Sequence, residues 1–207
     1  NGTDNGKLTL SGNMNLNGLT PRFYINSTLE ITGVISNGGL DKRNAGTLIL
    51  SGVNTYTGTT YITAGTLQLG ADNVLPTANN IRIVGGTLDL AGHYDATNAF
   101  TITLVSGSLI DSSAGGKING ANIYIEQNLI SANIESGAQI TKTTNQVATL
   151  SGTNTYTGLT TVNFGQLSVG TTALPTTGVV PTAGLVKLAG GTLAGNGAYA
   201  DLSSWLS

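Results

Sequence analysis

The sequence predicts an all-β fold: a right-handed parallel β-helix, or β-solenoid, of about ten coils with roughly 20 residues per coil. Leucines recur at intervals near 20 residues, and polar and apolar residues alternate beside them. Gly, Asn, Thr and Ser supply polar turns, while charged residues make up only 9% of the chain. A coil of this size cannot bury its apolar face alone, so neighbouring coils must stack.

A ladder of leucines defines the predicted coils. Its central members follow a repeated Gly-Thr/Ser pair and end the tripeptides Gly46–Leu48, Gly65–Leu67, Gly86–Leu88 and Gly107–Leu109. Apolar residues at positions i and i+2 of a strand share one face, so these leucines are expected to form an inward row. Extended in both directions, the ladder comprises Leu8, Leu29, Leu48, Leu67, Leu88, Leu109, Leu129, Leu150, Leu167 and Leu188.

A longer repeat overlies the coils at an offset of 100 residues. Lys42 recurs as Lys142, and Asn54–Gly58 recurs as Asn154–Gly158. We therefore predict a single β-helix over 1–207, with long repeats around 42–93 and 142–193. The tail, 199–207, contains Trp205 and Leu206; it is expected either to cover the open end of the solenoid or to dock another subunit.

Two segments resemble the passenger-associated β-strand repeat of bacterial autotransporters. Residues 47–70 read TLILSGVNTYTGTTYITAGTLQLG, and 148–170 form a second copy with Gln166 in place of the usual Thr. The resemblance implies a passenger region that is secreted through an outer-membrane β-barrel and displayed at, or released from, the cell surface. It carries no catalytic residue set. Two kinds of protein are compatible with this resemblance. One is a cleaved passenger fragment, and the other is a surface or filament protein that uses the repeat without a barrel.

Composition excludes several classes of function. The net charge is −2 with no basic stripe, which argues against nucleic acid as a partner. No run approaches the roughly 18 apolar residues of a membrane-spanning helix, and the absence of cysteine excludes disulfides and thiolate metal sites. The chain begins at Asn1 without Met, as a processed or excised piece would.

Two groups of side chains could carry acid–base chemistry. His93 and Asp95 could form an acid/base pair, although a polar corner after the Leu88–Leu90 strand is the favoured interpretation. Asp89 and Asp111 are 22 residues apart, about one coil, but they follow their ladder leucines at different offsets and should face differently. A pair of glycosidase carboxylates is therefore not expected. Tandem nonapeptides of calcium-binding β-rolls are also missing.

Tyr56 and Tyr156 occupy equivalent places in the long repeat. They could form a sugar-binding aromatic row, but their repetition more simply indicates tyrosines that pack on a strand face.

We therefore expect a non-catalytic, extracellular structural or adhesive β-helix module of an autotransporter-like protein, secreted or held at the bacterial cell surface. No catalytic, cofactor-binding or metal-binding residue is predicted. Expected partners are a second copy of the chain, joined end to end or laterally, and glycans or proteins of a host surface or matrix. The alternatives are a subunit of an extracellular filament and a polysaccharide-acting β-helix enzyme or tail-fibre protein.

Overall fold

Short β-strands form the whole regular structure of the described residues, which are 6–77, 79–96, 101–119, 122–135, 137–169 and 186–195 in a computed structural model. No helix occurs within these ranges. The strands are β1 (Lys7–Leu10), β2 (Met14–Asn15), β3 (Arg22–Tyr24), β4 (Thr28–Ile31), β5 (Ile35–Ser36), β6 (Leu40–Arg43), β7 (Thr47–Leu50), β8 (Thr60–Ile62), β9 (Thr66–Leu69), β10 (Ile81–Ile83), β11 (Thr87–Asp89), β12 (Tyr94–Asp95), β13 (Thr101–Leu104), β14 (Ser108–Ile110), β15 (Lys117–Asn119), β16 (Asn122–Ile125), β17 (Asn128–Ile130), β18 (Asn133–Glu135), β19 (Gln139–Lys142), β20 (Val147–Leu150), β21 (Thr160–Val162), β22 (Gln166–Val169), β23 (Val186–Leu188) and β24 (Thr192–Gly195).

These strands stack into two long sheets and two short ones. The ten-stranded sheet runs β1-β4-β7-β9-β11-β14-β17-β20-β22-β24, and the nine-stranded sheet runs β23-β21-β19-β16-β13-β10-β8-β6-β3. The short sheets are β12-β15-β18 and β2-β5. Each strand pairs in parallel with strands one coil away, and the described part of the chain makes about eight turns of roughly 20 residues. The predicted parallel solenoid is confirmed, with slightly fewer turns than the ten expected.

The core is a continuous column of aliphatic side chains between the sheets. Leu48 lies opposite Leu67, and Leu67 opposite Leu88, and all three side chains are fully buried. Full burial of a leucine stabilises a fold by about 1.5–3 kcal/mol. Because each leucine is covered by its equivalents in adjacent coils, the stacking of coils supplies this stabilisation.

The predicted leucine ladder is correct through Leu109 and wrong in three places beyond it. The next register partner is Ile130, which is buried, whereas Leu129 is only partly buried. Alternate residues of a strand face opposite sides, so a shift of one residue turns Leu129 away from the row. Leu150 does continue the row from Ile130.

The last two ladder members lie in other rows. Leu167 stands opposite Ala148 and Leu193, in a neighbouring inward row of the ten-stranded sheet. Leu188 belongs to the nine-stranded sheet, opposite Val162. Spacing near 20 residues occurs between any two equivalent sites, so it did not identify which sheet a leucine joins.

The same corner in both long repeats requires glycine. Gly65 and Gly165 each have φ of 65°, in the left-handed region that residues with a Cβ rarely adopt. A Cβ at Gly65 would lie 2.3 Å from the carbonyl oxygen of Asn44 in the coil below. The glycine thus permits both the turn and the close approach of two coils.

Candidate functional site

Asn54, at the corner of the first long repeat, links three successive coils through its side chain. Its Oδ1 accepts a hydrogen bond from the Ile35 amide at 2.8 Å, and its Nδ2 donates to the Val74 carbonyl at 2.9 Å. Asn154 accepts from the Ile134 amide at 3.0 Å in the same way. These buried amides replace backbone hydrogen bonds where the chain turns, which is a structural role.

Tyr56 and Tyr156 do not form a surface row, because both side chains are buried. The Tyr56 and Thr60 hydroxyl oxygens lie 2.8 Å apart, and the same distance separates those of Tyr156 and Thr160. Burial raises the pKa of Tyr56 to about 12. The tyrosines therefore pack in the interior and are not available to an external ligand, although each lies in a segment between two strands and not on the expected strand face.

Lys42 and Lys142 occupy inward positions in the last two residues of their strands and are buried. The Lys42 ammonium donates to the carbonyl oxygens of Arg43, Asn44 and Ala64 at 3.0, 2.7 and 3.0 Å. Burial lowers the pKa of Lys42 to about 8 and lowers the pKa of Lys142 as well. The sequence showed the repetition of these lysines, but nothing in it distinguished a buried lysine from an exposed one.

His93 pairs with Asp72, not with Asp95. Its Nδ1 lies 3.1 Å from Asp72 Oδ1, which also accepts the Tyr94 amide at 3.0 Å, on the exposed corner. The amide of Tyr94 and the imidazole of His93 hold the pKa of Asp72 below its usual range. Asp95 is fully buried and accepts the Leu75 amide at 3.0 Å. The polar-corner interpretation of His93 therefore matches its position.

Asp89 and Asp111 organise turns in adjacent coils. Asp89 accepts the Ser112 amide and hydroxyl at 3.0 and 2.7 Å, as well as the Gln68 side chain at 2.9 Å. Burial alone would raise the pKa of Asp89, but these hydrogen bonds lower it below its usual range. Asp111 accepts the amides of Gly92 and Gly116 at 2.7 and 2.6 Å. Both carboxylates are occupied by hydrogen bonds from their own coil and from a neighbouring coil.

The described ranges contain no group of three or more His, Cys, Asp or Glu side chains that could hold a metal ion. Within the same ranges, no helix is long and apolar enough to cross a membrane. Trp205, Leu206 and the predicted cap 199–207 lie outside the described residues.

The outer face of the nine-stranded sheet carries arginine and tyrosine side chains in outward positions. We define the outer row of this sheet as its central outward positions, which stack in register: Arg22, Asp41, Tyr61, Arg82, Thr103, Tyr124, Thr141, Thr161 and Lys187. Tyr24 and Arg43 form the adjoining outward pair. This row was not predicted from the sequence, although residues 81–83, 102–104 and 123–125 each enclose one polar or aromatic residue between aliphatic ones. That pattern could have located it.

Comparison with known proteins agrees with the repeat pattern. Residues 40–69 and 140–169 match the family described as Passenger-associated-transport-repeat. Over 97 residues, the chain is 37% identical to the protein named Adhesin BmaC autotransporter from Brucella suis biovar 1 (strain 1330). The match covers 46% of this chain and 3% of the adhesin. No solved structure gives a significant match. Two passenger-associated transport repeats on a parallel solenoid, together with this similarity to an autotransporter adhesin, support an autotransporter passenger domain with repeats.

Proposed function

We propose that this chain is a non-catalytic module of a surface-displayed or secreted adhesin, in which stacked coils form a stiff scaffold and the outer faces bind a host surface. The similarity to an autotransporter adhesin supports the adhesive role and the extracellular location. Because that similarity spans 3% of the adhesin's length, the role of this segment rests on its own residues as well.

The hydrogen bonding of the buried polar side chains is the observation that supports this proposal most strongly. Within the described ranges, every buried side-chain nitrogen and oxygen has a hydrogen-bond partner. The side chains with the chemistry for acid–base work, His93 and Asp89, bond to neighbouring turns. Polar groups committed to coil stacking leave binding to the exposed strand faces, which favours an adhesive over a catalytic role.

Adhesion of the purified 207-residue chain tests this proposal. Beads coated with the chain are applied to cultured epithelial cells and to immobilised matrix proteins, with albumin-coated beads as the control. We expect more of the chain-coated beads than of the control beads to be retained. Equal retention would overturn the adhesive role. Fibres in negative-stain images of the same sample would instead favour the filament alternative.

A further inference from the structure

We propose that the outer face of the nine-stranded sheet is the binding surface of the module and that its ligand is a linear acidic polysaccharide. This inference rests on the proposed adhesive function and names its ligand class. Sugar rings offer apolar C–H faces to aromatic side chains, and their carboxylate or sulfate groups suit arginine. Both kinds of side chain are concentrated on this one face.

The arginines show this concentration. The chain contains three arginines, and Arg22, Arg43 and Arg82 all take outward positions on the nine-stranded sheet. Arg43 and Arg22 approach Asp41 at 2.8 and 3.9 Å. The guanidinium of Arg82 is exposed and, within the described ranges, has no acceptor. A positive surface on a chain of net charge −2 favours an anionic ligand.

The tyrosines follow the same distribution. Tyr24, Tyr61 and Tyr124 are 59%, 37% and 41% exposed, and all three lie on this face. Arg82 stands one strand from Tyr61 and two strands from Tyr124. At about 4.8 Å between strands, the two tyrosines are about 14 Å apart with the arginine between them. An extended chain of sugars could meet both rings and the guanidinium at once.

A shallow depression of about 300 Å³ lies beside Tyr61 and Arg82. Its lining includes Thr59, Tyr61, Asn80, Arg82, Thr101 and Thr103. Hydroxyl and amide groups of this kind both donate and accept hydrogen bonds, as the hydroxyl groups of a sugar require. A nucleic acid fits less well, because every nucleotide carries a phosphate, and tight binding needs several cationic side chains close together. On this face, Arg22 and Arg43 lie against Asp41, which leaves Arg82 apart from them.

Binding of defined polysaccharides to the immobilised 207-residue chain tests the inference. The probes are hyaluronate, which carries carboxylates; chondroitin sulfate, which also carries sulfates; neutral dextran; and single-stranded oligo-dT. We expect saturable binding of hyaluronate, chondroitin sulfate or both, which distinguishes the two anionic groups, and no binding of dextran. Tighter binding of oligo-dT, or binding of none of the probes, would overturn the proposal.

Two substitutions locate the surface. Arg82→Gln is expected to weaken binding about tenfold, the effect of losing one charge-assisted hydrogen bond. Tyr61→Thr removes the ring from an exposed strand position and should also weaken binding. The matched control, Lys117→Gln, removes one positive charge from the three-stranded sheet and should leave binding unchanged. Equal loss in R82Q and K117Q would overturn the inference, and an unchanged melting temperature shows that each variant is folded.

The bead assay separates this inference from the proposed function. If the double variant R82Q/Y61T keeps full adhesion to cells, the assignment of this face is wrong while the adhesive function stands. If the unaltered chain binds an acidic polysaccharide, R82Q weakens that binding and the chain-coated beads still do not adhere, the adhesive function is wrong while the assigned face stands. Parallel loss of polysaccharide binding and adhesion in the double variant supports both.

Discussion

Tyr56 and Thr60 meet inside the solenoid with their hydroxyl oxygens 2.8 Å apart, and both side chains are fully buried. Asn79 from the next coil donates to the same Thr60 hydroxyl at 2.7 Å. The pair therefore ties a repeat corner to the coil above it. Its counterpart, Tyr156 with Thr160, shows that the second repeat builds the same contact.

Tyr56→Phe should lower the free energy of unfolding by about 1 kcal/mol, because one buried hydrogen bond is lost while the ring remains. Urea unfolding followed by circular dichroism measures this change. Tyr61→Phe is the matched control, since the Tyr61 ring lies on the outer face and its hydroxyl can bond to water. Equal effects of the two substitutions would show that the Tyr56 hydroxyl has no structural role.

Asn54→Ala should cost about 1–3 kcal/mol of unfolding free energy, because the buried Ile35 amide loses its partner, whereas the Val74 carbonyl keeps the Asn54 backbone amide. Val53→Ala, one residue earlier, changes a side chain that is 62% exposed and should have little effect. Chemical denaturation of the two variants checks the difference. A loss below about 0.5 kcal/mol in N54A, the range of surface substitutions, would contradict the role of this asparagine in joining coils.

Lys42 should make stability rise with pH in the alkaline range. Its pKa is about 8 in the fold and 10.5 when unperturbed, so between these values the unfolded chain binds more protons. The stabilisation linked to this group is complete above the unfolded pKa and is lost as the pH falls through 8. The resulting increase in the free energy of unfolding is about 3 kcal/mol. Unfolding free energies of the unaltered chain and of Lys42→Met, measured from pH 7 to 11, test this, and an identical pH dependence in both would contradict it.

The Asp89 carboxyl should make the free energy of unfolding depend on pH in the acid range. Its folded pKa lies below its usual value, so the stability it contributes is present above the unfolded pKa and is lost as the pH falls through the folded one. Asp89→Asn is expected to cost about 1–3 kcal/mol at neutral pH, a difference that narrows below about pH 4. Asp72→Asn, on the exposed corner, serves as the control with a small effect. A constant difference at every pH would rule out the linkage to this carboxyl.

Periodicity predicted most of the fold. The spacing of Leu48, Leu67 and Leu88 led directly to the stacked coils, because a solenoid repeats one environment at each turn. Periodicity did not identify the inward residue beyond Leu109, because Leu129 and Ile130 are adjacent, both are apolar, and either spacing is close to one coil. Alternation along a strand decides such a case, and spacing between coils does not.

The polar residues were harder to place from sequence. The equivalence of Tyr56 and Tyr156 was visible, but their burial depends on Thr60 and Thr160 supplying partners four residues later. The sequence offers Asp95, two residues away, as a partner for His93, whereas its partner in the fold, Asp72, lies 21 residues earlier, one coil below. In a solenoid, the nearest side chains belong to the previous and next coils, so closeness in sequence is a poor guide to which side chains form a pair.

The register of the coils is the central claim, and engineered disulfides test it most directly. The chain has no cysteine, so any cross-link comes from the introduced pair. Thr47 and Thr66 are register partners on the ten-stranded sheet, within the Cα separation that a disulfide spans, while Thr47 and Thr87 are two coils apart. We predict that T47C/T66C forms an intramolecular disulfide under mild oxidation, seen by mass spectrometry, and that T47C/T87C does not. Equal cross-linking of both pairs, or of neither, would contradict the stacked parallel coils.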